Sequence, residues 1–267
     1  SIVILFIVVG IAQTATALER TRLGLVKEGE FSLLTGLEYQ EGDYGTPEST
    51  SLLRIPISIT YRKTNFSLYA SMPILFASSD GDIITSSKTS MPKTTESVSP
   101  SGKGQQTVAG IGDMVLSASY YFTADLRHET SYRLTAGLKL GTADESEGLG
   151  TGEDDLFIEG GAVKNIDEYM LSGTLGYEIN GDSPVFNYND VVYGTVGLTK
   201  QLAMNKQIGS LLYFSQALTD VSDAPLELSV FYSQPVAKTR AAYFYLSKGL
   251  SNGSPDFSLG GTIQFYY

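Results

Sequence analysis

The sequence predicts an all-β chain: a single antiparallel up-and-down transmembrane β-barrel of about 12 strands, with long acidic extracellular loops and short periplasmic turns. Three observations predict it. Apolar and polar residues alternate over segments of about 9–12 residues, the length a tilted membrane strand needs, whereas strands of soluble domains run nearer five or six. Connections between these segments alternate long and short. Negative charge collects in the long ones.

Ser1 to Ala17 reads SIVILFIVVGIAQTATA, an uncharged apolar run ending in small residues with an A-x-A pattern. That is the signature of a secretory signal peptide, which assigns 1–17 to a cleaved leader and 18–267 to the barrel. A membrane helix fits less well, because the run stops near residue 12 and a span needs about 20 apolar residues. No later segment approaches about 18 consecutive apolar residues.

The strands follow in order. One near 31–39 is followed by the cleanest, 51–62, where Leu53, Ile55, Ile57, Ile59 and Tyr61 oppose Arg54, Pro56, Ser58, Thr60 and Arg62. In 65–76, Phe66, Leu68, Ala70, Met72 and Ile74 oppose Ser67, Tyr69, Ser71 and Pro73. Segments 112–122, 131–140 and 169–179 alternate as cleanly, and 225–235 sets Leu226, Leu228, Val230 and Tyr232 against Glu227, Ser229, Phe231 and Ser233. Strands near 155–164, 191–201, 207–216 and 239–248 fill the remaining gaps, with the faces of the last two left open. The final strand, 256–267, alternates Phe257, Leu259, Gly261, Ile263, Phe265 and Tyr267, an aromatic ending like a barrel insertion signal. Twelve is an even number, as single-chain bacterial barrels require. Pro56 and Pro73 fall inside strands, and proline cannot donate to a ladder, so each requires a bulge or a place near the rim. Trp is absent, so interfacial girdles must come from the 17 Tyr and 12 Phe.

Connections 40–50, 77–111, 141–154, 180–190, 217–224 and 249–255 are long, and those between them are tight. This asymmetry sets the long loops outside the cell and both termini in the periplasm. The long loops and their strand ends hold 17 acids against 3 bases, out of 29 and 18 in the chain. Loop 77–111, rich in Ser, Thr, Lys and Gly, reads as a surface loop, with an inward-folding constriction as the alternative. The acidic stretch 144–155 reads as a solvated loop, and its Asp144, Glu145, Glu147, Glu153, Asp154 and Asp155 are weak calcium candidates without EF-hand spacing.

Function classes narrow from the same counts. With no Cys and one His, thiolate metal sites, Cys nucleophiles and multi-His zinc sites are excluded. A net charge of −11 disfavours nucleic acid. His128 has no triad around it, so no enzyme is expected and no cofactor. Arg54, Arg133 and Lys139 share the polar strand faces with Asp113, Glu159, Glu178 and Glu227, which makes these the lumen and selectivity candidates, pairing in a polar bore.

Three stretches resemble a known family: Gly112 to Ser117, Leu134 to Thr142, and Leu149-Gly150-Thr151-Gly152. They look like the outer-membrane barrel family named for transport in the meta-pathway of phenol degradation. Gly141-Thr142-Ala143 stands where that family has Pro-Thr-Gly. The resemblance covers 112 to about 165 and implies uptake of aromatic compounds. The expected function is therefore a porin-like channel of the bacterial outer membrane for small molecules, aromatic or hydrophobic compounds among them. Its partners would be membrane lipid, lipopolysaccharide and the solute. The alternative is a non-transporting scaffold barrel with a plugged lumen, and a soluble β-sandwich stands behind both.

Overall fold

A strand that is apolar on one face must set that face against something apolar. In the computed structural model of this chain, twelve strands do so together by closing into one barrel. The structure describes residues 29–44, 49–79, 106–123, 130–181, 188–220 and 222–267. The expected leader and His128 lie outside the described residues.

The strands are β1 (Glu30–Gly42), β2 (Thr50–Ile55 with Ile57–Lys63), β3 (Phe66–Ser71 with Ile74–Ser79) and β4 (Gln106–Ile111 with Met114–Thr123). There follow β5 (Thr130–Leu140), β6 (Asp155–Ile166), β7 (Tyr169–Ile179), β8 (Val191–Leu202), β9 (Lys206–Ser215), β10 (Leu226–Ala237), β11 (Arg240–Gly249) and β12 (Phe257–Tyr266). Each pairs antiparallel with the next, and β12 returns to β1 from Ser32↔Tyr266 to Glu41↔Phe257. Closure pairs the strands on both sides around the wall, the condition for a sheet to cross a membrane, and among the described strands the Gln106–Ile111 part of β4 has a partner on one side only, in β3.

The proline problem is solved in mid-wall rather than at the rim. Registers Ile55↔Ile74 and Ser58↔Ser71 set Pro56 directly opposite Pro73. Each proline interrupts its own strand, yet the ladder continues past them: Met72 N donates to Ile57 O at 3.0 Å and Gly112 N to Pro73 O at 2.8 Å. One strand further, the pairing slips by one residue between Ile74↔Ile111 and Ser71↔Val115. Gly112-Asp113 is thus a bulge that turns the Asp113 side chain inward, where it is buried. Strand β4 accordingly begins at Gln106 instead of 112, and β3 runs to Ser79. What remains of the expected loop 77–111 is 80–105, outside the described residues.

Outward side chains form the apolar wall. Leu175, Leu156, Val196, Leu246 and Ile59 are all more than half exposed. Such a wall is unstable in water, since moving each side chain into an apolar medium gains about 1.5–3 kcal/mol. Lipid supplies that medium. Rings bracket the wall: Phe31 against Tyr61 at 4.8 Å and Tyr120 against Phe122 at 4.8 Å at the short-turn end, Tyr39 against Phe257 at 5.9 Å at the other. Lys200 over Tyr169 and Arg240 over Phe265 add cations to the short-turn girdle. The two strands whose faces the sequence left open are now oriented. Leu211 and Tyr213 of β9 and Tyr243 of β11 are buried inward, while Ile208, Phe244 and Leu246 are exposed.

Candidate functional site: the lumen wall

All seven charged residues expected in the lumen face inward and are largely buried. Arg54, Asp113, Lys139, Glu159, Glu178 and Glu227 are each under 9% exposed, and the Arg133 side chain is 13% exposed. Their pairs run along the wall, between neighbouring strands. Arg133 of β5 binds Glu159 of β6. Arg54 of β2 lies 3.8 Å from Glu38 of β1. Lys139 of β5 is held between Asp155 of β6 at 2.6 Å and Asp113 of β4 at 3.5 Å. Two lumen charges were missed as such in the sequence. Glu38 lies in a strand whose alternation is poor, and Asp155 sat at the end of the acidic stretch.

The three stretches that carry the family resemblance meet at this lysine. Gly112-Asp113 supplies a carboxylate, Lys139 the ammonium, and Thr151 a hydroxyl that accepts from Lys139 Nζ at 2.7 Å. Asp113 Oδ1 also accepts from Ala143 N at 3.0 Å. Gly150 is required here, because a methyl on it would stand 2.9 Å from both Asp113 carboxylate oxygens. Gly152 has φ +72°, the left-handed region that glycine adopts without strain. Loop 141–154 is thereby folded into the barrel. Leu149, 2% exposed, packs on Leu52, Leu75 and Ala77 of the β2 and β3 inner wall. The expectation of a solvated loop holds for Asp144, Glu145, Glu147 and Asp154, which are exposed, and is corrected for Leu149, Thr151 and Asp155, which an apolar anchor and a buried lysine draw inward.

The calcium candidates are distributed by this folding. Asp155 is buried on Lys139, and Asp154 Oδ1 accepts from Gly141 N at 2.9 Å. Among the described residues no group of three or more acidic or His side chains gathers for a metal ion. Tyr188, close by in the loop region, has its hydroxyl pushed up to about 12 by burial and by the Glu145, Asp155 and Glu153 charges.

The opposite wall, β8 to β11, is aromatic. Tyr193, Leu211, Tyr213, Phe231 and Tyr243 form one buried cluster, with Tyr245 packed on it. Phe231 and Tyr243 stack at 5.5 Å. Three of the rings, Tyr193, Phe231 and Tyr245, lie along the wall over glycines of neighbouring strands. A methyl on Gly176 would stand 2.6 Å from the Tyr193 hydroxyl, one on Gly209 2.8 Å from Phe231 Cε1, and one on Gly260 2.9 Å from Tyr245 Cζ. The sequence analysis did not pick out this wall, although Phe231 already shared the Glu227 face. Inward aromatics at alternate positions, with Tyr193, Phe231 and Tyr245 each opposite a glycine in a neighbouring strand, were its signal.

No family model matches the chain, and no curated protein matches it. Solved structures do. An outer-membrane channel of Pseudomonas putida F1 is similar with TM-score 0.71 and 11% identity, over 91% of this chain and 97% of that one. The KdgM porin is similar with TM-score 0.54 and 11% identity, over 88% and 98%. At such identity the likeness is one of fold. Closure, the apolar outer wall, the girdles and these neighbours define the class: a twelve-stranded transmembrane β-barrel of the outer-membrane type.

Proposed function

We propose that the protein is a porin-like diffusion channel of the bacterial outer membrane for small solutes, apolar and aromatic compounds among them. The observation that carries this reading is the two-sided bore. Ion pairs line β1, β2 and β4 to β6, and flat aromatic rings line β8 to β11. A barrel that serves only as a scaffold has no need of rings laid flat over glycines, since rings pointing at the axis fill the core better. The structural likeness to an outer-membrane channel and to a porin supports the same reading. So does the motif resemblance to the phenol meta-pathway family, which favours aromatic solutes. Arg54, Asp113, Arg133, Lys139, Glu159, Glu178 and Glu227 would set charge selectivity. The acidic loops would face outward towards lipopolysaccharide, with both termini in the periplasm.

Purified, folded barrel in a planar lipid bilayer tests this. Discrete single-channel conductance, with flux of a neutral aromatic solute into liposomes, is expected. A folded barrel that passes neither ions nor solute would overturn it.

The inward-folded loop 141–154 favours a second reading, a barrel closed to transport. It predicts no conductance in the native chain and conductance after Leu149 or Lys139 is substituted.

A further inference from the structure

One corner of the lumen holds buried polar atoms that the ion pairs leave over, one of Glu38 and one of Tyr243 among them. Glu38, 5% exposed, turns Oε2 towards Arg54 at 3.8 Å, while its Oε1 has no hydrogen-bond partner among the described residues. Tyr243, 7% exposed, has its hydroxyl in the same condition. Buried polar atoms are almost always satisfied by protein, water or ligand. The two belong to one place. Glu38, Gly260 and Tyr245 are paired across β1, β12 and β11. A methyl on Gly260 would stand 3.0 Å from Glu38 Cγ and 2.9 Å from Tyr245 Cζ, so carboxylate stem and ring meet over that glycine. Tyr243 and Tyr245 lie 6.2 Å apart at 36°, presenting two ring faces.

We propose that the Glu38–Tyr243–Tyr245 corner is a binding subsite for a small organic cation: a protonated amine carried on a flat apolar body. In its ionised form the Glu38 carboxylate only accepts, so the ligand that suits it brings an N–H or O–H donor. Ring faces attract positive charge and offer area to a flat body. This assignment rests on the channel reading and names the solute class that the bore would retain longest.

Block of KCl current through the bilayer-inserted barrel tests it at pH 8, with benzylammonium, benzyl alcohol and benzoate as probes. The half-blocking concentration of benzylammonium is expected to lie about tenfold below that of the other two. Glu38→Gln and Tyr243→Leu should each erase most of that advantage, whereas Tyr243→Phe, which keeps the ring, should retain part of it. Equal block by all three probes, or full benzylammonium advantage in a folded Glu38→Gln or Tyr243→Leu barrel, overturns the subsite. Should the barrel carry no current, the channel reading falls and the subsite is tested alone, by calorimetric titration of the same probes in detergent. Selective heat from benzylammonium then supports it, and none refutes it. Folding of each variant is followed by heat-modifiable migration on a gel, and Tyr243→Leu serves if Glu38→Gln misfolds.

Discussion

Lys139 Nζ donates to Thr151 Oγ1 at 2.7 Å, tying a strand of the wall to the loop folded across it. The same ammonium is shared between Asp155 and Asp113, so one side chain both holds two buried acids and anchors the loop. Removing one partner of a buried ion pair costs about 3–5 kcal/mol, because the charge left behind has lost its water. In Lys139→Met that cost falls on the loop junction, whereas β4, β5 and β6 keep their main-chain ladders. Loop 141–154 is expected to detach and admit water to the two acids. Single-channel conductance should rise, and proteolysis should cut first within 141–154. Native conductance together with a protected loop would refute this role.

Gly176 leaves room for the Tyr193 ring on the next strand. An added methyl would lie 2.6 Å from the hydroxyl and 2.8 Å from Cε1, and all three nearest atoms belong to that one side chain. In Gly176→Ala the ring is therefore expected to swing off the wall into the bore, at a cost of about 1–3 kcal/mol for overpacking. Conductance should fall while the barrel stays folded. A variant with native conductance would mean that the ring does not border the permeation path.

These two cases mark how much was legible in the sequence. The strand map was, because alternation over a full membrane crossing has no other explanation. The inward set from Arg54 to Glu227 was legible for the same reason. Pro56 and Pro73 looked like defects because opposition across a strand pair depends on register, and register is not visible in one strand alone. The fate of loop 141–154 was hidden for a different reason. Its acids signal solvent, and the weight of Leu149 and Lys139 appears only once Leu52, Leu75 and Asp113 are brought beside them. The aromatic wall needed pairings such as Gly176↔Tyr193 and Gly209↔Phe231, which are long-range facts of the ladder.

Depth in the membrane is readable on neighbouring strands. Leu175 is mid-strand on β7 and 59% exposed, while Ile166 closes β6 beside a short turn and is 48% exposed. Exposure alone ranks them nearly equal, but a charge near the bilayer midplane costs about 2–4 kcal/mol against about 0–1 near the interface. Leu175→Arg should lower unfolding free energy in lipid by the first amount and Ile166→Arg by the second. Denaturant titrations in vesicles that gave equal losses would contradict the assignment of this wall to lipid.

Arg133 and Glu159 form a pair whose side chains are 13% and 7% exposed. A pair this buried contributes little net stability, since desolvation offsets most of the attraction, yet each member depends on the other. Arg133→Met is expected to destabilise the barrel by about 3–5 kcal/mol by leaving the Glu159 carboxylate uncompensated. Glu159→Gln should cost less, because guanidinium can still donate to an amide oxygen. The double variant Arg133→Met with Glu159→Gln should then lie closer to native than Arg133→Met alone, and a double-mutant cycle by urea unfolding in lipid measures that difference. Strictly additive losses would show the two groups to be energetically independent despite their contact. A conductance readout on the same variants separates stability from permeation. Arg133→Met adds one net negative charge to the wall and should shift the reversal potential in a KCl gradient towards cation preference. The double variant, with Glu159 neutral as well, should return it to the native value.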